Sequence, residues 1–396
     1  MTFPTLARIT IYHNILWSKY KGGVFSHVHS LALDRGVDVS VTQIAETEGQ
    51  RIELSGIDLS YHTYPYRLLF RGSQDSVVWY KRIFAASKDI YNNPSDLVVL
   101  PGYHRIEYWA MLIMCIVLRR RRAVFSDSTP FDKPEVRWRE FAKRVFFARC
   151  HGCFTYGERS KEYLMSYGVD ERKIHIRRQA AALPHDYEPS AVIEHYERMS
   201  SEKYRQPRFV FIGRLAVEKG LFDLLRAFRL VRTKLHNARL DLVGAGPLME
   251  DLKREVATLG LEDSVNLLGS KDLDALVPLF YDSVAMVLPS HSEPWGLVVN
   301  ESLSYGCPVV VSDLCGCVPE LVIDGVTGYR FSTGNIDALA AAMVAVTKMS
   351  EDRLSAAREC LNVISSFTPE RAAAQILDGC MTILGDGPSS GRSAAA

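Results

Sequence analysis

The feature that most constrains the fold of this chain is a repeated alternation of short β-rich runs with helical patterns. In the first half the β-rich runs include RITIYHN, VDVSVTQI, DLVVLPG and AVFSDS, and helical patterns such as VFSHVHSLALDRG lie between them. Strands that alternate with helices in this way form parallel sheets covered by helices on both faces. The sequence therefore predicts a doubly wound α/β architecture.

The same pattern starts again after a polar stretch that ends near residue 208. The second series of β-rich runs is FVFIG, LDLVG, VNLLG, VAMVLPS and PVVVS. With 396 residues the chain is long enough for two domains with separate cores. We therefore expect two Rossmann-like domains that face a cleft. The predicted boundaries are a first domain over 1–190, a linker over 191–207, a second domain over 208–368, a last helix over 369–385 and a disordered tail over 386–396.

The charge of the chain is unevenly distributed, although its net value is only +1. Residues 1–200 hold 28 Lys and Arg against 22 Asp and Glu, whereas the rest holds 19 against 24. Much of the basic excess lies in RRRR (119–122) and RWREFAKR (137–144). Such runs usually form a solvated face, and the sharper interpretation is contact with an anionic acceptor or an anionic membrane surface. We expect no nucleic acid among the partners.

The first residues and one apolar run bear on membrane association. The start, MTFPTLARITIYHNILW, lacks a basic segment followed by an apolar run and a cleavage site, so a cytoplasmic location is expected. The run YWAMLIMCIVL has eleven residues, whereas a bilayer span needs about 20. Its even hydrophobicity predicts a helix buried in the first domain, and a segment that dips into a membrane is the alternative.

The eight cysteines are too few in this length to indicate a disulfide framework. CHGC (150–153) and CGC (315–317) lack a second cysteine pair or histidines at the spacing that a zinc site needs. We therefore predict no metal site and no cofactor.

The residues that bind and transform a ligand should follow the strands directly, because ligands of open α/β sheets bind at the carboxyl ends of the strands. The segment FVFIGRLAVEKG ends a strand at Gly213 and supplies Arg214 and Lys219 before the next helix. Two cations in a short loop bounded by glycines suit a diphosphate. VGAGPLM, after the next strand, lacks the full dinucleotide fingerprint and is interpreted as a tight turn near a nucleotide.

Two acids eight residues apart are the most distinctive pair in the chain. In HSEPWGLVVNESLSYGCPVVVS, Glu293 falls in a loop after a strand and Glu301 falls in the following helix, about 7.5 Å along its axis from Gly296. A carboxylate accepts two hydrogen bonds from a vicinal diol, which ribose and pyranose rings both present. The N–H groups of Gly296, Leu297 and Val298 open the helix and point toward any anion bound there. The simpler alternative is that Glu293 caps the helix and Glu301 is a surface acid.

The combination of motifs resembles the GT-B fold and, within it, the retaining nucleotide-sugar glycosyltransferases of family 4. The motifs are G-R-L-x-x-x-K-G, G-x-G-P, P-S-x-x-E-P-x-G-L-x-x-x-E, G-x-P-V-V and PELVIDGVTGYRF. They cover the second half almost continuously. In the first half KGGVFSHVHSLA is similar to the Gly-Gly loop and first helix of that family.

The resemblance implies a role for each matching position. The second domain would bind the donor, the first domain would bind the acceptor, and the last helix would cross back to the first domain. Arg214 and Lys219 would hold the donor diphosphate, Glu301 the ribose and Glu293 the transferred sugar. The remaining donor contacts would come from Gly22, Gly23, Gly296, Leu297 and Val298.

One first-domain position departs from the family. Many relatives have a histidine there that contacts the sugar, whereas this chain reads FSDSTPFD. Asp127 is one candidate for that catalytic or acceptor-side contact, and His104 is the other.

The implied activity is retaining transfer of a hexosyl group from a UDP- or GDP-sugar to an acceptor hydroxyl without a metal. A lipid-linked saccharide of bacterial surface or exopolysaccharide synthesis is the expected acceptor, at the inner face of the cell membrane. Asp272 and Asp274 have the Asp-x-Asp spacing of metal-dependent transferases, but their context predicts that Asp272 is a helix N-cap. The alternatives are transfer to a small molecule, a sugar-nucleotide epimerase of the same fold, and a non-catalytic nucleotide-sugar binding protein.

Overall fold

A computed structural model describes residues 7–49, 56–131, 137–198 and 206–385. Its strands form two separate sheets in which every neighbouring pair is parallel. Each sheet is covered by helices, so the prediction of two doubly wound α/β domains is confirmed.

The sheet of the first domain has the strand order β3-β2-β1-β4-β5-β6-β7. The strands are β1 (Arg8–Ile15), β2 (Asp38–Thr47), β3 (Tyr66–Ser73), β4 (Leu97–Leu100), β5 (Arg121–Phe125), β6 (Gly152–Thr155) and β7 (Ile174–Ile176). The helices between them are α1 (Lys19–Asp34), α2 (Trp79–Asn92), α3 (Ile106–Val117), α4 (Arg137–Ala148) and α5 (Glu158–Ser166).

Apolar side chains cover both faces of this first sheet. Helix α1 contributes Phe25 and Val28 to the cluster on one face. Helices α2 to α5 contribute to the cluster on the other face, with Ile90, Met111 and Phe146 among its buried members. Helices α2, α3 and α4 therefore lie in one layer, a position that matters below for the outer surface of the domain.

The second domain is built around a sheet with the strand order β10-β9-β8-β11-β12-β13. The strands are β8 (Arg208–Ile212), β9 (Arg239–Val243), β10 (Val265–Gly269), β11 (Ala285–Leu288), β12 (Val309–Ser312) and β13 (Gly328–Phe331). The helices that accompany them are α7 (Leu221–Lys234), α8 (Met249–Leu259), α9 (Leu273–Asp282), α10 (Leu297–Ser304), α11 (Val318–Leu321), α12 (Ile336–Val346) and α13 (Arg353–Ile364). The order reverses between β8 and β11, which is where such sheets bind ligands.

The start of the predicted linker is helical. Helix α6 (Pro189–Arg198) occupies most of the first half of the 191–207 range, and 199–205 lie outside the described residues. Val192 and Tyr196, four residues apart, are buried in the core of the second domain, and the Tyr196 hydroxyl donates to the backbone oxygen of Tyr305 at 3.0 Å. The predicted linker range therefore begins with a helix, which the sequence pattern did not indicate because two apolar residues at helical spacing are outnumbered by polar neighbours.

The last helix, α14 (Pro369–Gly385), returns from the second domain to the first. Its apolar face, which includes Ile376, Leu377 and Cys380, belongs to the same cluster as Phe25 of α1 and Phe154 of β6. The predicted tail over 386–396 lies outside the described residues.

The apolar run at 108–118 forms most of helix α3, as predicted, but the helix is not buried on all sides. Tyr108, Met111 and Leu112 face the core, whereas Ile113 and Val117 are exposed. The reason is that α3 lies in the outer helix layer, where only one side of a helix can meet the sheet. Within the described parts of the chain, no helix has the length and apolar content needed to cross a bilayer.

Candidate functional site

The loops after β8 and β9 approach each other closely at the carboxyl edge of the second sheet. The N–H of Leu215 donates to the backbone oxygen of Ala245 at 2.9 Å. Gly244 has φ +140°, and a Cβ atom there would collide with the backbone oxygen of Gly213. The glycines of VGAGP are therefore needed for this approach, which brings the Arg214 loop beside the turn after β9.

The predicted cations and the first predicted acid lie together in the second domain. Lys219 forms an ion pair with Glu293, and both side chains are largely shielded from solvent. Arg214 pairs with Glu218 and is more exposed. The Lys219–Glu293 pair places a cation and a hydrogen-bond acceptor side by side, which matches the adjacent phosphate and hydroxyl groups of a sugar phosphate.

Helix α10 begins immediately after this pair. Gly296 is its N-cap with φ +96°, a left-handed conformation that favours glycine. The N–H groups of Leu297 and Val298 lie in the first turn, where a helix offers no internal acceptors. The helix ends before Gly306, which has φ +67°. Asp272 accepts a hydrogen bond from the N–H of Ala275 at 3.1 Å, so its predicted role as an N-cap is confirmed.

The Glu301 carboxylate is unusual among the acids of the second domain. It makes no hydrogen bond or ion pair with any residue in the described ranges, although burial raises its pKa to about 7. A desolvated carboxylate without a partner destabilises the free protein. The residue is partly exposed, so its carboxylate is available to accept hydrogen bonds from a ligand.

On the first-domain side of the cleft, Asp127 follows β5 and is held by a buried arginine. The Arg177 guanidinium donates to Asp127 at 3.1 Å and to the side-chain oxygen of Gln179 at 3.1 Å. His104, the other predicted candidate, is exposed after β4, with its ring beside those of Tyr103 and Tyr108. Of the two candidates, Asp127 is thus the one that pairs with a buried cation at the cleft.

Gly22 and Gly23 lie inside helix α1 and not in a loop before it. A Cβ atom on Gly22 would lie 2.7 Å from the His62 ring nitrogen, so this glycine allows the helix to pack against His62. Gly23 has more space, because the nearest atom to its Cβ position belongs to Tyr61 at 3.9 Å. The prediction of a Gly-Gly loop was wrong in this respect, because the helix that contains VFSHVHSLA begins earlier, at Lys19, and includes both glycines.

Several residues that join the two domains were not predicted. Asn300 donates to the backbone oxygen of Gln179 at 2.7 Å and accepts from the Trp295 indole at 2.7 Å. Glu320 accepts from the N–H of Glu158 at 2.7 Å, and burial raises the pKa of Glu320 to about 7. The sequence does contain a signal for two of the residues that were not predicted. Arg177 is a cation directly after the strand IHI, and Glu320 is the glutamate of the PEL segment. Neither pattern indicates which residue is the partner.

The second domain matches a known family. Residues 193–359 match the family model described as glycosyl transferases group 1. The poly(glycerol-phosphate) alpha-glucosyltransferase of Bacillus subtilis is 36% identical over 148 residues, which are 37% of this chain and 21% of that protein. The D-rhamnosyltransferase WbpZ of Pseudomonas aeruginosa is 32% identical over 172 residues, which are 43% of this chain and 40% of that protein. The chain thus spans less than half the length of either relative.

The whole chain resembles solved structures more extensively. A structure of HepE from Anabaena in complex with UDP and glucose superposes with a TM-score of 0.70 and covers 95% of this chain and 100% of that one. Its identity is 17%, so the likeness concerns the fold alone. The chain therefore has the GT-B fold, and its second domain matches the glycosyl transferases group 1 family, which supports a transferase.

Proposed function

We propose that this protein is a retaining glycosyltransferase of family 4 that moves a hexosyl group from a UDP- or GDP-sugar to an acceptor hydroxyl. The acceptor is a lipid-linked saccharide at the inner face of the cell membrane. The support comes from the second domain, where cations, a helix N-terminus and two acids meet at the carboxyl edge of the sheet. The complex of HepE with UDP is consistent with a nucleotide-sugar donor.

The observation that carries this proposal is the partnerless carboxylate of Glu301 on α10, the helix that follows the loop of Glu293 and its partner Lys219. A ribose diol donates two hydrogen bonds, which would satisfy Glu301. The diphosphate would then lie near Arg214, Lys219 and the start of α10, where positive charge is available. Glu293 would accept hydrogen bonds from the sugar hydroxyls.

The mechanism follows from these positions. The bond between the anomeric carbon and the phosphate oxygen breaks, and a bond from the acceptor oxygen to the same carbon forms on the same face of the sugar. The acceptor proton passes to the departing phosphate oxygen, so atoms and charge balance. Lys219, Arg214 and the N–H groups of α10 stabilise the charge that develops on the diphosphate. Glu293 faces the sugar as positive charge develops on its ring.

A panel of nucleoside diphosphates tests the donor site directly. UDP, GDP, ADP and dTDP are compared by thermal shift, because a ligand at a hundred times its Kd stabilises a protein by about 2.7 kcal/mol. We expect UDP or GDP to raise the Tm of the parent protein and to raise that of Glu301→Gln much less at the same concentration. A panel in which no nucleotide raises the Tm contradicts the proposed donor site.

Activity is expected to survive chelation of divalent metals. The physical reason is that Arg214, Lys219 and the α10 N-terminus supply the positive charge that a metal provides in other transferases. Steady-state turnover is measured before and after treatment with EDTA and dialysis. Loss of turnover that magnesium or manganese restores would overturn the metal-independent mechanism.

The outer surface of the first domain supports a membrane-bound acceptor. Helices α2, α3 and α4 carry large apolar side chains that are exposed to solvent, with Phe84 at 68% and Phe141 at 70%. The others are Trp79, Tyr80, Tyr91, Ile106, Ile113, Ile116, Val117 and Trp138. A large exposed apolar patch is uncommon on a soluble monomer.

Basic side chains accompany these apolar ones on α4. Arg137, Arg139 and Arg144 on α4 are exposed, whereas two of the acids on the three helices, Asp89 and Glu107, are largely buried and pair with arginines. Aromatic side chains insert at a lipid interface, and each Lys or Arg near an anionic surface contributes about 1 kcal/mol. The helix layer thus has the composition of a surface that binds anionic lipid.

The double variant Phe84→Ser, Phe141→Ser is expected to bind anionic vesicles at least about tenfold more weakly than the parent, because two interfacial rings are lost. Sedimentation with vesicles that contain an anionic lipid, at low salt, measures this. Leu33→Ser is the matched control, since Leu33 is also exposed but lies on α1, across the sheet. Equal sedimentation of all three proteins would exclude this surface as the membrane contact.

A further inference from the structure

Two buried cations lie together at the carboxyl edge of the first sheet. Lys21, in the first turn of α1, is 4% exposed, and Arg177, directly after β7, is 1% exposed. The Lys21 amine lies 5.2 Å from the ring centroid of Phe125 and 5.0 Å from that of Tyr156. The Arg177 guanidinium lies 4.8 Å and 4.2 Å from the same two rings. The two cations therefore share one aromatic pocket.

The negative charge in this pocket does not balance the two cations. Asp127 pairs with Arg177 at 3.1 Å, whereas the Lys21 amine has no hydrogen bond or ion pair to any residue in the described part of the chain. The Nε atom of Arg177 is also buried without an acceptor. Buried lysines are normally paired, so an unpaired lysine amine beside an incompletely satisfied arginine indicates a binding site for an anion.

The other titratable groups around Lys21 do not supply that anion. Burial and the charge of Lys21 lower the pKa of His13 to about 3, so His13 is neutral. Burial raises the pKa of Tyr156 well above its ordinary value, so Tyr156 keeps its proton. Burial and the neighbouring Arg177 lower the pKa of Lys21 itself, which is the expected effect of an uncompensated charge.

The pocket faces the donor loop across the cleft. The ring of Tyr156 lies 6.0 Å from that of Trp295, which adjoins Gly296 at the start of α10. Arg177 is linked to the same tryptophan through Gln179 and Asn300. The pocket is therefore on the first-domain side of the reaction centre, opposite the Lys219–Glu293 pair.

We propose that Lys21 and Arg177 form an oxyanion subsite that binds a carboxylate or phosphate group of the acceptor. This inference rests on the proposed transferase function and adds that the acceptor is acidic near its reacting end. The second domain already offers Arg214, Lys219 and a helix N-terminus to the donor diphosphate, so the first-domain cations are left for the acceptor. A uronic acid residue and the phosphate of a lipid-linked saccharide both present such an oxyanion.

Binding of small oxyanions in the presence of saturating UDP tests the subsite without requiring turnover. The probes are methyl glucuronide and inorganic phosphate, with methyl glucoside as the neutral match of the glucuronide. We expect the parent to bind at least one oxyanion and Lys21→Met to bind it about tenfold to a hundredfold more weakly, since a charge-assisted hydrogen bond is lost. Stronger binding of glucuronide indicates a uronic acid acceptor, and stronger binding of phosphate indicates a lipid-linked phosphate.

Lys19→Met is the matched control, because Lys19 is two residues away in the same turn but pairs with Asp58 outside the pocket. Lys21→Met keeps the apolar stem and removes a buried charge, so its Tm is expected to equal or exceed that of the parent. Lys21→Gln serves as a second variant if the methionine variant does not fold.

Three results would overturn the subsite. The first is binding of the oxyanions by Lys21→Met as tight as that of the parent. The second is a parent protein that binds methyl glucoside as well as the glucuronide and does not bind phosphate. The third is a loss of UDP affinity in Lys21→Met as large as its loss of oxyanion affinity, which would assign Lys21 to the donor diphosphate. Failure of the parent to bind UDP at all is a separate result that concerns the proposed donor site.

Discussion

Glu293→Gln is expected to lower kcat by about a hundredfold to a thousandfold, the range found when one group that stabilises a transition-state charge is removed. Glu293 would contact the sugar, where positive charge develops during the reaction, and glutamine keeps the shape but loses the negative charge. Affinity for the nucleoside diphosphate is expected to stay within about threefold, because the nucleotide does not use this carboxylate. Calorimetry with UDP or GDP alongside steady-state kinetics separates the two effects.

Lys219 provides a second check on the same site. It pairs with Glu293 in the free protein, so Glu293→Gln leaves the amine fully available to a phosphate and nucleotide affinity should not fall. Glu250→Gln is the control, because Glu250 is a surface acid paired with Lys253 at 2.8 Å. If Glu293→Gln and Glu250→Gln turn over alike, Glu293 has no catalytic role.

Glu301→Gln is expected to weaken nucleotide binding about tenfold to a hundredfold, because charge-assisted hydrogen bonds of about 1.5 to 3 kcal/mol are lost. The ribose does not change during the reaction, so KM for the donor should rise by more than kcat falls. The measurement is the Kd of UDP or GDP by calorimetry together with donor kinetics. A variant with the parent's Kd would mean that Glu301 does not bind the ribose.

The pKa of Glu301 adds a pH dependence with a defined sign. Burial raises this pKa to about 7, so the carboxylate gains a proton as the pH falls from 8 to 6. The protonated form accepts hydrogen bonds less well, and nucleotide affinity should therefore fall over this range. Glu301→Gln should lack this part of the pH dependence, which also separates it from the titration of the nucleotide phosphate.

The raised pKa of Glu301 also makes the stability of the protein depend on pH. The folded pKa lies above the ordinary value of 4.5, so the free energy of unfolding falls as the pH rises from about 4.5 to 7 and stays low above that. The cost is at most about 3.5 kcal/mol by the conversion of 1.36 kcal/mol per pKa unit. Glu301→Gln is therefore expected to have a higher Tm than the parent at pH 8 while it binds nucleotide less well.

The placement of the candidate residues in the second domain could be predicted because its determinants are local. Glu293, Gly296 and Glu301 lie in one strand, loop and helix, and the spacing of the apolar residues fixes which of them reach the cleft. Asp272 was likewise assigned as an N-cap from its position before LDAL, and its hydrogen bond to the N–H of Ala275 agrees. Local pattern did not reveal that Lys219 pairs with Glu293, since 74 residues separate them.

The first-domain site was harder to predict because its partners are distant in the chain. In the sequence, Lys21 looks like an ordinary lysine of a helix. Only the fold places it near Arg177, where both side chains contact the rings of Phe125 and Tyr156. The exposed side of α3 was missed for a different reason: YWAMLIMCIVL is apolar on every side, so periodicity cannot indicate which side faces outward. Helix α6 was missed because its two buried residues, Val192 and Tyr196, stand among charged neighbours.

The most direct test of the proposed function is a quantitative transfer reaction. The protein is incubated with a hexose derivative of the nucleoside diphosphate that stabilises it and with a lipid-linked or acidic saccharide acceptor, and both products are measured by mass spectrometry. Release of nucleoside diphosphate in equal amount to an acceptor that is heavier by one hexosyl group is the predicted result. Conversion of the donor sugar without any gain in acceptor mass would indicate an epimerase and would contradict the transferase that the site of Lys219, Glu293 and Glu301 supports.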